Sequence, residues 1–296
     1  MGVLAKVDLD ILPREPAYRP IERQAWYSRS LPLAIGIGAG IGLLSTYLSP
    51  LVIWLGLAAV FGFGIRRRQR MVSLLRENED GVALLVAGDL DDAQLVFDRL
   101  CRRGRFMPGL HSLFVLNRAV AHLERGEHDR AAGLFTAVLH AGWVAPAGVL
   151  SAHYPALLGR LATAEALRGR LEVAQAWRAR AHASTSFAKR GSLLLVDVIV
   201  EARAEAWDRV IALVEEGWAR AQNLLAPRAQ RAVRLLHALA LEQAQGSEYR
   251  MESRDDERRR ALDAVREGRR EDIAWLLPHW PALTEFLGRN GLGSFV

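Results

Sequence analysis

The feature that most constrains this chain is an uncharged, largely apolar stretch at residues 31–65. As one helix these 35 residues (65 − 31 + 1) would extend about 52 Å, whereas the hydrocarbon core of a bilayer is only about 30 Å thick. Pro50 lies in the middle of the stretch and favours a break there. We therefore predict a transmembrane helical hairpin of two short spans, residues 31–48 and 51–65, with a turn at residues 49–50.

Arginines flank both ends of this stretch. Arg29 precedes it, and Arg66, Arg67, Arg68 and Arg70 follow it. Basic flanks favour the cytoplasmic side of a membrane, and a hairpin places both flanks on that side. The pattern predicts a protein of the bacterial inner membrane, with the remainder of the chain in the cytoplasm. A single tilted span and a hairpin buried in a soluble core remain alternatives.

Four glycines alternate within the first predicted span. They are Gly36, Gly38, Gly40 and Gly42. Glycines four residues apart on a transmembrane helix let a second helix approach closely, so we expect this face to pack against another span. The alternative is that the glycines only kink the helix.

Beyond residue 70 the pattern changes to amphipathic helices that repeat one spacing. A glycine is followed five residues later by an alanine and nine residues later by an aromatic residue. The copies are Gly88, Ala93 and Phe97; Gly126, Ala131 and Phe135; Gly169, Ala174 and, one residue early, Trp177; and a weaker copy with Trp207, Val210 and Val214. Glycine ends one helix in a tight turn, and the alanine and aromatic residue shape the contact with the next helix, so stacked helix pairs are expected.

This pattern resembles the tetratricopeptide family, most clearly at residues 117–139. Asn117 matches the frequent asparagine of the first helix, and Ala119 and His122 stand where the family usually has glycine and tyrosine. In the first copy, Gly81 and Leu84 hold the corresponding positions. The copies lie 38 and 43 residues apart (126 − 88 and 169 − 126), against a family repeat of about 34. We expect the extra residues in loops at 105–110 and 142–155.

The resemblance implies an all-α fold, an α-solenoid of helix pairs placed after the transmembrane hairpin. We predict an extended N-terminal arm at residues 1–30, the hairpin at 31–65, tetratricopeptide-like repeats at 71–226 and a C-terminal helical cap at 227–296. Another α-solenoid or an irregular helical bundle is the alternative.

The sequence contains no recognisable catalytic motif. The net charge of +6 comes from arginines interspersed with acids, which is typical of solvated helix surfaces and does not predict nucleic-acid binding. Cys101 is the only cysteine, and the histidines lack metal-ligand spacing. We predict a non-enzyme without a cofactor or metal. An enzyme built around His122, His128 and His153 is the alternative hypothesis.

The resemblance implies a groove, lined by the first helix of each pair, that binds a partner protein. On this basis Asn117, Glu124 and Arg160 are candidate groove residues. We expect a membrane-anchored scaffold or adaptor whose partners are a protein and the lipid bilayer. The alternative is a subunit of a bacterial transport, secretion or envelope-assembly complex that packs through its hairpin.

Overall fold

The computed structural model describes residues 50–244 and 251–293, and these residues form helices and turns with no β-strand among them. The α-helices are α1 (Pro50–Ala87), α2 (Leu90–Gly104), α3 (Pro108–Glu124), α4 (His128–His140), α5 (Tyr154–Leu167), α6 (Leu171–Ser184), α7 (Leu194–Arg203), α8 (Trp207–Ala221), α9 (Pro227–Gln243), α10 (Met251–Arg266), α11 (Glu271–Ala274) and α12 (Pro281–Arg289). Short 3-10 helices at Ser151–His153 and Phe187–Leu193 precede α5 and α7. The all-α prediction is confirmed.

The first ten helices form consecutive pairs, each with a first helix (A-helix) and a second helix (B-helix). The A-helices are α1, α3, α5, α7 and α9. Each A-helix contacts its own B-helix and also the next A-helix along the chain. The A-helices therefore lie side by side, as stacked helix pairs require.

The same tight turn joins the A-helix to the B-helix in the first four pairs. Gly88, Gly126, Gly169 and Glu205 have positive φ values of 89°, 77°, 80° and 57°. In each case the next residue donates a backbone hydrogen bond to the carbonyl five residues before it, as Glu127 does to His122 at 2.9 Å. This is the Schellman arrangement that satisfies the carbonyls at a helix end.

The predicted alanine and aromatic positions lie in the core of each pair. Ala93, Phe97, Ala131 and Phe135 are completely buried. Gly81 in α1 also packs tightly, because a Cβ atom there would lie 2.9 Å from the ring of Phe97. The repeated spacing thus marks the contact between paired helices, as expected from the sequence.

The C-terminal edge segment, residues 268–280, returns along the turns that join A-helices to B-helices. The Arg269 guanidinium donates a hydrogen bond to the Ala87 carbonyl at 2.7 Å. A Cβ atom at Gly126 would lie 2.6 Å from Pro278 Cγ, and His128 Nε2 lies 2.8 Å from the Trp275 carbonyl. The segment therefore ties the last part of the chain to the first two pairs.

The predicted hairpin lies only partly within the described residues. Residues 51–65 belong to α1, which continues without a break through the arginines at 66–70 and into the first pair. Residues 1–49, including Arg29 and the four alternating glycines, lie outside the described residues. Among the residues described, no helix combines the length and apolarity needed to cross a membrane.

Only one of the two predicted long loops is present. Residues 141–150 form a series of turns before the 3-10 helix at Ser151–His153, as expected. The prediction of a long loop at residues 105–110 is wrong, because α2 ends at Gly104 and α3 begins at Pro108. Pro108 occupies the first turn of α3, where its missing N–H costs no hydrogen bond, so this proline starts a helix.

Candidate functional site

The A-helices α1, α3 and α5 line a common surface with residues that recur in a fixed register. The register has three positions, which lie thirteen, nine and six residues before the positive-φ turn residue of each helix. The middle position, for example, is occupied by residue 79 (88 − 9), residue 117 (126 − 9) and residue 160 (169 − 9). Residues separated by four and then three positions share one helix face. The repeated register therefore builds a continuous surface across the A-helices.

This surface forms a cleft made of two adjoining cavities of about 420 and 820 Å³. Ala156 and Arg160 line both cavities, so the cavities are continuous. The smaller one lies between α1, α3 and α5. The larger one is also walled by residues 184–196, by the start of α9 and by the C-terminal edge segment. A cleft of this size accommodates a peptide segment or several side chains of a partner.

The middle row of the register is polar. It consists of Glu79 on α1, Asn117 on α3 and Arg160 on α5, all of which line the smaller cavity. The flanking rows are largely apolar, with Leu75 and Leu113 on one side and Val82 and Val120 on the other. The cleft thus presents a line of polar groups between apolar rows.

Asn117 is held in place from the neighbouring A-helix. Its side-chain Nδ2 donates a 2.8 Å hydrogen bond to Oδ1 of Asn78, which is buried. This contact uses one amide hydrogen and leaves the Asn117 carbonyl oxygen and second amide hydrogen for other partners. The geometry fixes the side chain at the floor of the cleft.

Glu124 lies where the cleft meets the C-terminal edge segment. Its Oε2 atom is 2.8 Å from Nη1 of Arg228, the residue after the proline that starts α9. Arg228 also donates to the backbone carbonyls of Glu271 and Asp272. Burial raises the pKa of the Glu124 carboxyl, while Arg228 and Arg160 oppose that shift. Glu124 therefore contributes a carboxylate that is largely neutralised by Arg228.

Arg160 projects from α5 into the cleft, where its side chain still reaches solvent. The cleft walls desolvate the guanidinium and lower its pKa, and the charge of Glu124 opposes this. Among the described residues the Arg160 guanidinium donates no side-chain hydrogen bond that would hold it in place. The guanidinium is therefore available to an incoming group, as the cation of the polar row.

All three residues predicted for the groove lie in this cleft, two in one cavity or the other and Arg160 in both. Whether they bind a partner stays a prediction. Sequence reasoning missed Glu79, although the shared register with Asn117 and Arg160 was available to find it. It also missed Arg228, at the start of α9, and Arg269, which reaches the cleft because the C-terminal edge segment folds back.

The histidines and the cysteine that were considered as catalytic or metal-binding residues do not form a common site among the described residues. His122 Nδ1 lies 3.0 Å from Glu127 Oε2 and His128 Nε2 contacts the Trp275 carbonyl, while His153 lies at the cleft. Within residues 50–244 and 251–293 no group of three or more potential ligands is placed to hold a metal ion. Burial raises the pKa of the Cys101 thiol to about 12, which keeps the thiol protonated at neutral pH.

Comparisons of this chain with known protein families, with curated proteins and with solved structures find no match.

Proposed function

We propose that this chain is a membrane-anchored, tetratricopeptide-like scaffold that binds a segment of a partner protein in the cleft and catalyses no reaction. The observation that carries the proposal is the shared register of the A-helices, which directs one face of each helix into a continuous cavity. Apolar rows supply the area that binding needs, and the polar row supplies orientation. The predicted groove residues Asn117, Glu124 and Arg160 are the candidate contacts.

The tetratricopeptide assignment is supported by features that the pairs have in common. The turns after α1, α3, α5 and α7 share one backbone conformation. Small residues, Gly81 and Ala119, occupy the same place in successive A-helices, seven residues before the turn (88 − 81 and 126 − 119). Repeats built this way generally use the A-helix surface for binding, which agrees with the position of the cleft.

Site-specific photo-crosslinking in cells tests the binding face. A photoreactive amino acid at Ala156, inside the cleft, should give a discrete adduct with a partner protein. The matched position is Gln175 on α6, which is exposed on a B-helix and should give none. Ala156→Arg, which fills the cleft, should reduce the adduct formed from a probe at Asn117. Equal adducts from both faces, or none from the cleft, would contradict the proposal.

The membrane anchor is a separate part of the proposal and has separate support. The sequence at residues 31–65 carries no charge, and the described part of that stretch is helical and continuous with the first pair. An anchor in this position would hold the cleft at a fixed orientation beside the bilayer, on the cytoplasmic side if Arg29 and Arg66–Arg70 mark that side.

Alkaline extraction of membranes tests the anchor. The full chain should remain with the lipid, and a chain starting at Met71 should be released. Replacing both Gly38 and Gly42 with leucine distinguishes an anchor from a subunit that packs through its spans. A simple anchor tolerates the change, whereas a span-packing subunit loses its complex. Release of the full chain by alkali would contradict anchoring.

A further inference from the structure

The polar row of the cleft carries opposite charges at its two ends, and the proposed function does not say what these charges recognise. Reading from α1 to α5, the row presents a carboxylate at Glu79, an amide at Asn117 and a guanidinium at Arg160. We infer that the cleft selects a partner segment with the opposite order, a basic side chain facing Glu79 and an acidic side chain facing Arg160. The inference rests on the proposed function and specifies the chemistry of its ligand.

Both end groups of the row are available for pairing. Glu79 and Arg160 are solvent-accessible, and no side-chain hydrogen bond occupies either of them among the residues the structure describes. Of the other cations of the cleft, Arg231 pairs with Asp272 and Arg269 binds the Ala87 carbonyl, while Lys189 lies in the larger cavity, outside the polar row. Charge complementarity at the row therefore depends mainly on its two ends.

The position of Arg160, which lines both cavities, strengthens this discrimination at one end of the row. A charge between protein walls interacts more strongly with a neighbouring charge than the same pair does at an open surface. Placing a like charge opposite Arg160 or Glu79 would leave two unpaired charges in the cleft, which disfavours binding in comparable interfaces. A segment with its basic and acidic residues in the reverse order therefore meets repulsion at both ends of the row, in addition to losing the two favourable pairs.

The spacing of the A-helices gives the separation of the two charges in the ligand. Neighbouring packed helices lie about 8–10 Å apart, so Glu79 and Arg160, two A-helices apart, are separated by roughly 16–20 Å. An extended segment advances about 3.3 Å per residue, and its side chains alternate between faces. The basic and acidic residues of the ligand should therefore be about six positions apart, on the same face.

The remaining side chains on that face would meet Asn117 and the apolar rows. The Asn117 amide can both donate to and accept from a peptide group, which suits the main chain of an extended segment. Val82 and Val120 on one side and Leu75 and Leu113 on the other offer contacts for apolar side chains. The ligand expected is an extended, largely apolar segment with one basic and one acidic residue.

Display of random linear dodecapeptides on phage, selected against the purified chain in detergent, tests the inference. The wild-type protein should select peptides with a basic and an acidic residue about six positions apart in one order. The double variant Glu79→Arg with Arg160→Glu keeps the net charge and should select the inverted order. It should also bind a synthetic wild-type consensus peptide at least about tenfold more weakly.

Three comparisons make the outcome decisive. The pair Glu172→Arg with Arg180→Glu makes the same exchange on α6, outside the cleft, and should select the wild-type order. Glu79→Gln with Arg160→Gln should select apolar peptides without a charge order, and Ala156→Arg should abolish selection. Cleft-dependent peptides with no charge order, or with the same order from the exchanged variant, overturn the inference alone. Failure to select any cleft-dependent peptide overturns the proposed function as well.

Discussion

At the scale of single residues, the fourth turn between an A-helix and a B-helix shows how far a repeat can depart from its sequence pattern. Glu205 adopts a φ of 57° where the other turns have glycine. Its backbone hydrogen bonds match theirs, with the Ala206 amide donating to the Glu201 carbonyl at 3.0 Å. A side chain with a Cβ atom is strained in this conformation, and the backbone hydrogen bonds at the helix end accompany it.

Glu205→Gly should therefore stabilise the protein. The expected gain in the free energy of unfolding is up to about 1 kcal/mol, because glycine adopts a positive φ without steric cost. Urea unfolding followed by circular dichroism measures it. Glu205→Ala is the control, since it removes the carboxylate but keeps the Cβ atom. An equal gain in both variants would show that the charge, and not the backbone conformation, is responsible.

Two buried histidines should make stability fall on acidification. Burial lowers the pKa of His111 and of His237 from 6.5 to about 4. As the pH falls below 6.5, the unfolded chain binds protons that the folded chain does not, so the free energy of unfolding decreases. His111→Gln and His237→Gln remain neutral at every pH and should each reduce the loss between pH 7.5 and pH 5 by up to about 2 kcal/mol.

The measurement is urea unfolding of each variant and of the wild-type protein at the two pH values. His140 is exposed, and His140→Gln should leave the pH dependence of the wild type unchanged. The comparison between variants isolates the histidines from the buried carboxyl groups, whose raised pKa values act in the opposite direction. An unchanged pH dependence in His111→Gln and His237→Gln would contradict the prediction.

At the scale of elements, the C-terminal edge segment packs closely against the turn at Gly126. The glycine permits both the positive φ of that turn and the short distance to Pro278. Gly126 and Gly142 both have positive φ values. A Cβ atom at Gly126 would overlap Pro278, whereas a Cβ atom at Gly142 would meet no atom within 4 Å. The two positions therefore separate backbone strain from loss of contact with the segment.

Gly142→Ala should lower the free energy of unfolding by about 1 kcal/mol, the cost of the backbone conformation alone. Gly126→Ala should lower it by at least about twice that amount, since Pro278 must also move. Limited proteolysis should reveal faster cleavage within residues 268–280 only in Gly126→Ala. Similar destabilisation and similar cleavage in the two variants would show that the contact with Pro278 contributes little.

The elements that could be predicted from the sequence are those defined by local chemistry. Gly88, Gly126 and Gly169 marked the turns because a positive φ favours glycine, and the alanine and aromatic positions marked the packed face. The helical start at Pro108 was missed because proline serves both in loops and in the first turn of a helix. The turn at Glu205 lacked a sequence signal, since a glutamate stands where the other turns have glycine.

The site divides in the same way. Asn117, Glu124 and Arg160 could be predicted because the tetratricopeptide resemblance implies that the first helix of each pair lines the groove. Arg228 and Arg269 could not, because each is placed by a contact with a distant part of the chain, Arg228 with Glu124 and Arg269 with Ala87. No periodicity within one repeat encodes a contact of that range.

At the scale of the whole molecule, the buried side chains fall into two groups of unequal size. The larger core extends from Val115 to Leu292 and includes side chains from α3 through to α12. The smaller core lies at the N-terminal end of the described residues and contains Leu74, Ala93, Phe97, Leu100, Phe114 and Ala121. The first pair is therefore held by less buried apolar area than the later pairs. The stability of stacked pairs is approximately the sum of such local contributions.

Native-state hydrogen exchange should therefore show that the first pair opens before the rest. Amides of α2 should exchange through an opening of lower free energy than those of α5, whose inner residues are packed on several sides. Arg269→Ala removes the hydrogen bond to Ala87 and should accelerate exchange in α2 while leaving α5 unchanged. Equal opening free energies for α2 and α5 would contradict this order.

The tie between Arg269 and the Ala87 carbonyl also sets the length of the array. An open stack of helix pairs can gain or lose a pair at either end, but here the returning segment must span the distance from the last pair to the first. Adding one pair would move Arg269 and the Ala87 carbonyl apart by the thickness of that pair, and deleting one would change their relative position by the same amount. The same tie means that a growing chain on the ribosome reaches its final architecture only after its last helices have been synthesised.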